Sequence, residues 1–136
     1  MRIRHGQHYD HIYAPVVSWN SIITLLIISA LNKWNTRQIN FVLAFLQAPV
    51  EREIHMGIPK GFQIKYSNTK DYFLKLHRNI NGQNQAGQVW YTYITNILVN
   101  KVGFKQSKVD KCVFCCWNVM YVLYTDDSIL AVPNPN

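Results

Sequence analysis

The sequence predicts an α+β fold in which helices pack on one face of an antiparallel sheet. Short runs rich in aromatic and β-branched residues alternate with turn residues, which is typical of strands. Two longer segments have the apolar spacing of buried helices. With no internal repeat and no linker, residues 1–136 are expected to form one domain. The polar, His-rich residues 1–11 are expected to be poorly ordered.

The two helices are predicted over residues 20–32 and 86–101. The first contains the longest apolar run, which is too short to span a bilayer and therefore indicates a buried helix. Ser18 or Asn20 is suited to cap its N-terminus. The second helix ends before Gly103, a residue type common just after a helix. Six strand segments are expected at 38–43, 53–56, 72–76, 112–117, 120–123 and 129–132.

Composition excludes a disordered tail, because 49% of the residues are hydrophobic and only 15% are charged. The formal net charge of +7 suits a polyanionic partner, either nucleic acid or an anionic membrane surface, although a generic basic protein has the same charge. No signal peptide or transmembrane segment is recognisable, so a cytoplasmic or nuclear protein is expected.

Three cysteines, Cys112, Cys115 and Cys116, include a C-x-x-C spacing that is found in zinc sites. A zinc site needs four ligands, and the nearest histidine in sequence, His77, is far away. The same segment has the pattern of a strand. Reduced, mostly buried thiols are therefore the preferred interpretation, and no zinc is expected.

Tyr124-Thr125-Asp126-Asp127 is the most informative segment of the chain. It lies between two apolar runs that have the pattern of buried strands, so a tight hairpin with two carboxylates at its tip is predicted. Two carboxylates so close together repel one another unless a cation lies between them. A divalent-metal site and an ordinary acidic turn both fit this segment taken alone.

Five segments, in this order, resemble the reverse transcriptase of copia-type long-terminal-repeat retrotransposons. They cover nearly all of the chain: YAPVVSW (13–19), QINFVLAFLQAPVEREIHMGIPKGF (38–62), NINGQNQAGQVW (79–90), GFKQSKVDKCVF (103–114) and YVLYTDDSILA (121–131). The resemblance implies a partial right-hand polymerase, a palm with a remnant of the fingers, in which two long helices back an antiparallel sheet. Thumb, connection and ribonuclease H, like the other parts of a Pol polyprotein, are expected to be missing.

The resemblance also implies roles for five residues. Asp126 and Asp127 correspond to two catalytic, metal-binding carboxylates, with Asp126 sharing ions with the first motif and Asp127 supporting the geometry. Phe45 corresponds to the aromatic ring that screens the sugar 2′ position; plain core packing also explains a phenylalanine here, and one ring could do both. Gln85 corresponds to a nucleotide-binding residue. The first catalytic aspartate of the family is replaced here by Asn40.

The implied cofactor is Mg²⁺ or Mn²⁺, and the implied partners are an RNA or DNA template-primer and a deoxynucleoside triphosphate, with no membrane. Asn40 offers a neutral amide where two dications need a shared anion, so weakened metal binding and an inactive copy are expected. Asn84 and Gln88 also lack positive charges that the family usually has. The alternative is a non-catalytic, basic nucleic-acid-binding or interaction module that keeps the palm fold.

Overall fold

Helices and strands alternate irregularly along the chain, in a computed structural model that describes residues 12–62 and 72–134. A π-helical turn continues the third helix over Ile97–Val102. The elements are α1 (Trp19–Leu31), β1 (Asn35–Asn40), α2 (Ala44–Gln47), β2 (Pro49–Gly57), β3 (Phe73–Arg78), α3 (Ala86–Asn96), β4 (Lys105–Gln106), β5 (Val113–Cys116), β6 (Val119–Tyr124) and β7 (Asp127–Val132). The predicted disorder of residues 1–11 lies outside the described residues.

Five strands form one antiparallel sheet in the order β1-β7-β6-β5-β4, and β2 and β3 form a separate antiparallel pair. The sheet places β6 and β7 at its centre, joined by the predicted hairpin. The first strand of the chain closes one edge by pairing with the last. The α+β class with antiparallel strands is therefore confirmed.

The two longer helices pack on opposite faces of this sheet. Successive strand residues point to opposite faces. On β6, Tyr121 and Leu123 join the core under α3, whereas Val122 joins the core under α1 with Leu25. The prediction of two long helices on one face is therefore wrong. Within the described residues there are three α-helices, of 13, 4 and 11 residues, and none is long and apolar enough to cross a membrane.

Burial on both faces explains the composition of the central hairpin. Tyr121, Val122 and Leu123 are all at most 4% exposed, although they alternate between the two faces. A strand covered on one face only shows alternating polar residues, whereas a doubly covered strand is apolar throughout. The uninterrupted apolar sequence of β6 is therefore a consequence of the helices on its two sides.

Strand β1 begins and ends three residues earlier than predicted. The predicted strand continued to Leu43, but the observed one ends at Asn40. Leu43 has a φ of 54°, in the left-handed region that is costly for residues with a side chain, and it precedes the unpredicted helix α2. The chain turns there because Phe41 packs edge-on against Trp90, with ring centroids 5.3 Å apart.

The cysteines lie in and beside β5. Cys112 is buried in the core under α1, and Cys115 and Cys116 are half-buried on β5. Burial, with a smaller contribution from the nearby Asp110 carboxylate, raises the pKa of Cys112 to about 12. This thiol therefore stays protonated well above neutral pH and is a weak nucleophile.

Helix α1 is held to the sheet at its N-terminus by the carboxylate of Asp110. Asp110 Oδ2 accepts from the backbone N–H of Ser18 at 2.9 Å and from the Ser21 hydroxyl at 2.6 Å, and Oδ1 accepts from the Cys112 N–H at 2.9 Å. Of the two predicted N-caps, Ser18 and Asn20, the helix uses Ser18, whose side chain accepts from the Ser21 N–H. One carboxylate thus joins the first turn of α1 to the loop before β5.

The tip of the β6–β7 hairpin is held in a strained conformation by α3. Thr125 has a φ of 53°, which is unusual for a β-branched residue and costs on the order of 1–2 kcal/mol. The Trp90 indole N–H donates to the Thr125 carbonyl at 2.7 Å, and the Phe41 N–H donates to the Asp126 carbonyl at 2.7 Å. Two bonds from different elements therefore fix the turn.

Replacing Asp110 with alanine is expected to lower the free energy of unfolding by about 1–3 kcal/mol, because three donors lose a charged acceptor. Burial raises the pKa of this carboxyl, but the bonds from Ser21, Ser18 and Cys112 outweigh it, and the net pKa is lowered. A carboxyl whose pKa is lower in the folded state stabilises the fold at pH values above its unfolded-state pKa, which is about 3.9. This contribution is lost as the pH falls through the folded-state pKa. Urea unfolding from pH 7 to pH 2 measures both effects. An Asp110→Asn variant with an unchanged pH profile would contradict the assignment.

Replacing Trp90 with phenylalanine keeps an aromatic ring in the core but removes the donor to the turn. We expect a loss of about 1–2 kcal/mol, with faster amide exchange in the β6–β7 hairpin. Trp117→Phe is the matched control, because Trp117 is 99% exposed and also has a positive φ at a hairpin turn. Equal urea midpoints for both variants would show that the indole bond does not hold the turn.

Candidate functional site

The site predicted from sequence forms where the edge strand β1 meets the tip of the central hairpin. Asn40 pairs with Asp127 in the β1–β7 register. The Asn40 side-chain N–H (Nδ2) donates to Asp127 Oδ1 at 2.9 Å. Asn40 is exposed and Asp127 is half-buried, so the pair faces solvent beside the core. The fold thus brings together two residues that are 87 positions apart.

The contact made by Asn40 is with the second aspartate of the pair and not the first. Asp126 is exposed at the turn, and its carbonyl accepts from the Phe41 N–H. Gln38 lies on the same face of β1 as Asn40, and its amide approaches Asp127 Oδ1 at 3.5 Å. Sharing of ions between the first motif and Asp126 stays a prediction.

A two-ion metal centre does not fit the residues present. Within residues 12–62 and 72–134, no three side chains of histidine, cysteine, aspartate or glutamate converge in a group able to hold a metal. The Asn40 amide turns its N–H, a donor, toward Asp127, whereas Mg²⁺ requires oxygen ligands. The two carboxylates, those of Asp126 and Asp127, both lie at the hairpin, and β1 contributes no negatively charged side chain.

Phe45 lies on α2 and is half-buried. It packs against the core cluster that contains Ala44, Ala48 and Trp90. Packing against the core is thus one function of the ring, as the simpler interpretation of the sequence allowed. Its role beside a nucleotide sugar stays a prediction.

Gln85 is buried at the start of α3, with 5% of its surface exposed. Neither atom of its amide has a hydrogen-bond partner among the described residues. An unpaired buried amide costs about 1–3 kcal/mol, so a ligand or a water that satisfied it would bind favourably. The contact of Gln85 with a nucleotide stays a prediction.

Two residues near the hairpin were absent from the predicted site. Trp90 holds the turn through its indole, and Gln38 lies beside Asn40 on the same face. A signal for Trp90 existed in the sequence, because a tryptophan on the buried face of a helix needs a partner for its N–H. Gln38 gave no such signal, since its position depends on the register of β1 with β7.

Comparison with known proteins places this sequence in a family. The reverse transcriptase (RNA-dependent DNA polymerase) family model matches residues 1–135. The retrovirus-related Pol polyprotein from transposon RE2 of Arabidopsis thaliana is 32% identical over 134 residues, 96% of this chain but 9% of that protein. The polyprotein from transposon TNT 1-94 of Nicotiana tabacum is 31% identical over 130 residues, 92% of this chain and 10% of its own length.

A yeast relative is more distant. The transposon Ty1-BL Gag-Pol polyprotein of Saccharomyces cerevisiae is 25% identical over 135 residues, 98% of this chain and 7% of that protein. No solved structure gives a significant match. The chain thus spans a tenth or less of the length of these relatives. Since the family model covers the whole sequence but its last residue, the chain belongs to the reverse transcriptase family.

Proposed function

We propose that this chain is the palm segment of a retrotransposon reverse transcriptase that binds nucleic acid but no longer transfers nucleotides. The observation that carries this proposal is the Asn40–Asp127 hydrogen bond of 2.9 Å. A neutral amide donor occupies the position that the family fills with a third carboxylate. The partners are an RNA or DNA template-primer, in keeping with the family, and a deoxynucleoside triphosphate has no complete metal site to react at.

The chemistry explains why one charge matters. Nucleotidyl transfer develops negative charge on the attacking and leaving oxygens, and in this class of enzyme two divalent cations stabilise it. Three carboxylates hold such a pair of cations. With Asn40 the site has two, both on the hairpin. A loss of roughly 4 kcal/mol of transition-state stabilisation lowers a rate about a thousandfold.

The net charge supports retention of nucleic-acid binding. The chain has 14 lysines and arginines against 7 aspartates and glutamates. Basic surface and exposed aromatic rings are the features that proteins use to bind single strands without catalysis. The alternative, a non-catalytic and basic nucleic-acid-binding module that keeps the palm fold, predicts the same binding and is thus contained in the proposal.

Asn40→Asp is expected to create a divalent-cation site. Without metal, the new carboxylate repels Asp127 and the variant unfolds about 1–2 kcal/mol more easily than the natural chain. With Mn²⁺ the loss is reversed, and free Mn²⁺ falls in electron paramagnetic resonance titrations. Asn35→Asp, at the far end of the same strand and also exposed, is the matched control and should bind no Mn²⁺. Tight binding of two Mn²⁺ ions by the natural chain would refute the proposal.

Activity is tested in a longer protein. The chain replaces the matching segment of the RE2 polyprotein, once with its natural sequence and once with Asn40→Asp, and primer extension is measured on an RNA template. We expect extension to be about a thousandfold slower with Asn40. Comparable extension by both chimeras would show that Asn40 is not disabling. Silence in both, with the parent RE2 protein active, would place the lesion elsewhere in the segment.

A further inference from the structure

We infer that a groove beside Asp127 binds an unpaired base of a single-stranded nucleic acid. The inference rests on the proposed function, because it takes nucleic acid as the ligand. The groove, called here the α1 groove, lies between α1 and the face of the sheet that carries Asn40 and Asp127. Its lining residues are Val17, Trp19, Ile22, Leu26, Thr36, Arg37, Gln38, Val122, Tyr124, Asp127, Ser128 and Ile129.

The size and the walls of the α1 groove suit a flat, mainly apolar ring. Its volume is about 610 Å³, within the range of roughly 300–1,000 Å³ of small-molecule sites. Aliphatic side chains from α1 and from the central hairpin form its sides, among them Ile22, Leu26, Val122 and Ile129. Polar groups come from β1 and the start of β7, and Gln38 and Asp127 lie toward the end where the hairpin turns. A few polar groups in an otherwise apolar cavity fix the orientation of a ligand.

Two exposed aromatic rings line the same groove. Trp19, at the start of α1, is 72% exposed, and Tyr124, at the end of β6, is 51% exposed. Exposed rings are the stacking surfaces that proteins offer to unpaired bases, because every base has a π-face. Neither ring is needed to fill the core, since Leu25 and Val122 do so beneath them.

The polar end of the groove offers partners for the edge of a base. Asp127 Oδ1 already accepts from Asn40, and no bond among the described residues engages Oδ2. A carboxylate oxygen accepts from an exocyclic amino group such as N4 of cytosine. The groove should therefore prefer bases that carry an amino group, above all cytosine and adenine, over uracil and thymine.

Charge identifies nucleic acid, and not a second copy of this chain, as the occupant. Each copy has a net charge of +7, so two copies repel one another, whereas a phosphate backbone is attracted. Arg37 on the edge strand β1 is exposed and borders the groove, so it adds positive charge to the surroundings of the groove. The positive charge around the groove therefore favours an anionic backbone as the neighbour of the bound base.

The inference is tested with four labelled oligonucleotides of equal length: oligocytidine, oligoadenosine, oligouridine and an abasic strand. Fluorescence anisotropy gives the affinity at low and at physiological salt. Trp19→Ala is expected to weaken binding of oligocytidine about tenfold and binding of the abasic strand not at all. Trp117→Ala is the matched control, because this tryptophan is 99% exposed and lines a different cavity. It should leave all four affinities unchanged.

A second variant, Leu26→Trp, fills the groove from a position that is 45% exposed and so does not disturb the core. It should reproduce the loss for oligocytidine while the abasic strand binds as before. Equal losses on all four strands, or no loss in either variant, would overturn the inference and leave the proposed function intact. No binding of any strand by the natural chain, even at low salt, would instead refute nucleic-acid binding itself.

Discussion

The register of β1 against β7 is the constraint on which the site depends. Because side chains alternate along a strand, a slip of one residue would turn Asn40 away from Asp127 and toward the opposite face. The Phe41 N–H bond to the Asp126 carbonyl continues the ladder past the end of β1 and fixes that register. The same alternation sends Ile39 and Phe41 into the core under α3. One pairing thus sets both the chemistry on one face and the packing on the other.

The central hairpin could be predicted from sequence because its signal is local. Two apolar runs around Thr125-Asp126 indicate buried strands and a tight turn without reference to the rest of the chain. The faces occupied by the helices could not be predicted in this way. Helix α1 has apolar residues on several sides, including Ile23 and Ile27, which are exposed, and so its sequence marks no single buried stripe.

The end of β1 was mispredicted for a different reason. Phe41, Val42 and Leu43 all favour strands, and a continuous strand was the natural expectation. The chain instead leaves the sheet after Asn40, and Leu43 adopts a left-handed conformation. Ring contact between Phe41 and Trp90, from a helix almost fifty residues away, competes with the local preference. Tertiary contacts of this kind are invisible in a single sequence. The position of Asn40 in the first motif could be predicted from the resemblance. The hydrogen bond that its side-chain N–H donates to the Asp127 carboxylate could not.

Under the proposed function, the replacement that removes catalysis also makes the fold independent of metal. Three carboxylates converging on one point repel one another until cations bind, so such a site destabilises the protein that carries it. Asparagine is nearly the same shape as aspartate, and its amide N–H gives Asp127 a partner without any cation. The change therefore preserves the backbone and removes a repulsion. A chain no longer selected for polymerisation would keep such a replacement, because loss of the charge costs the fold nothing.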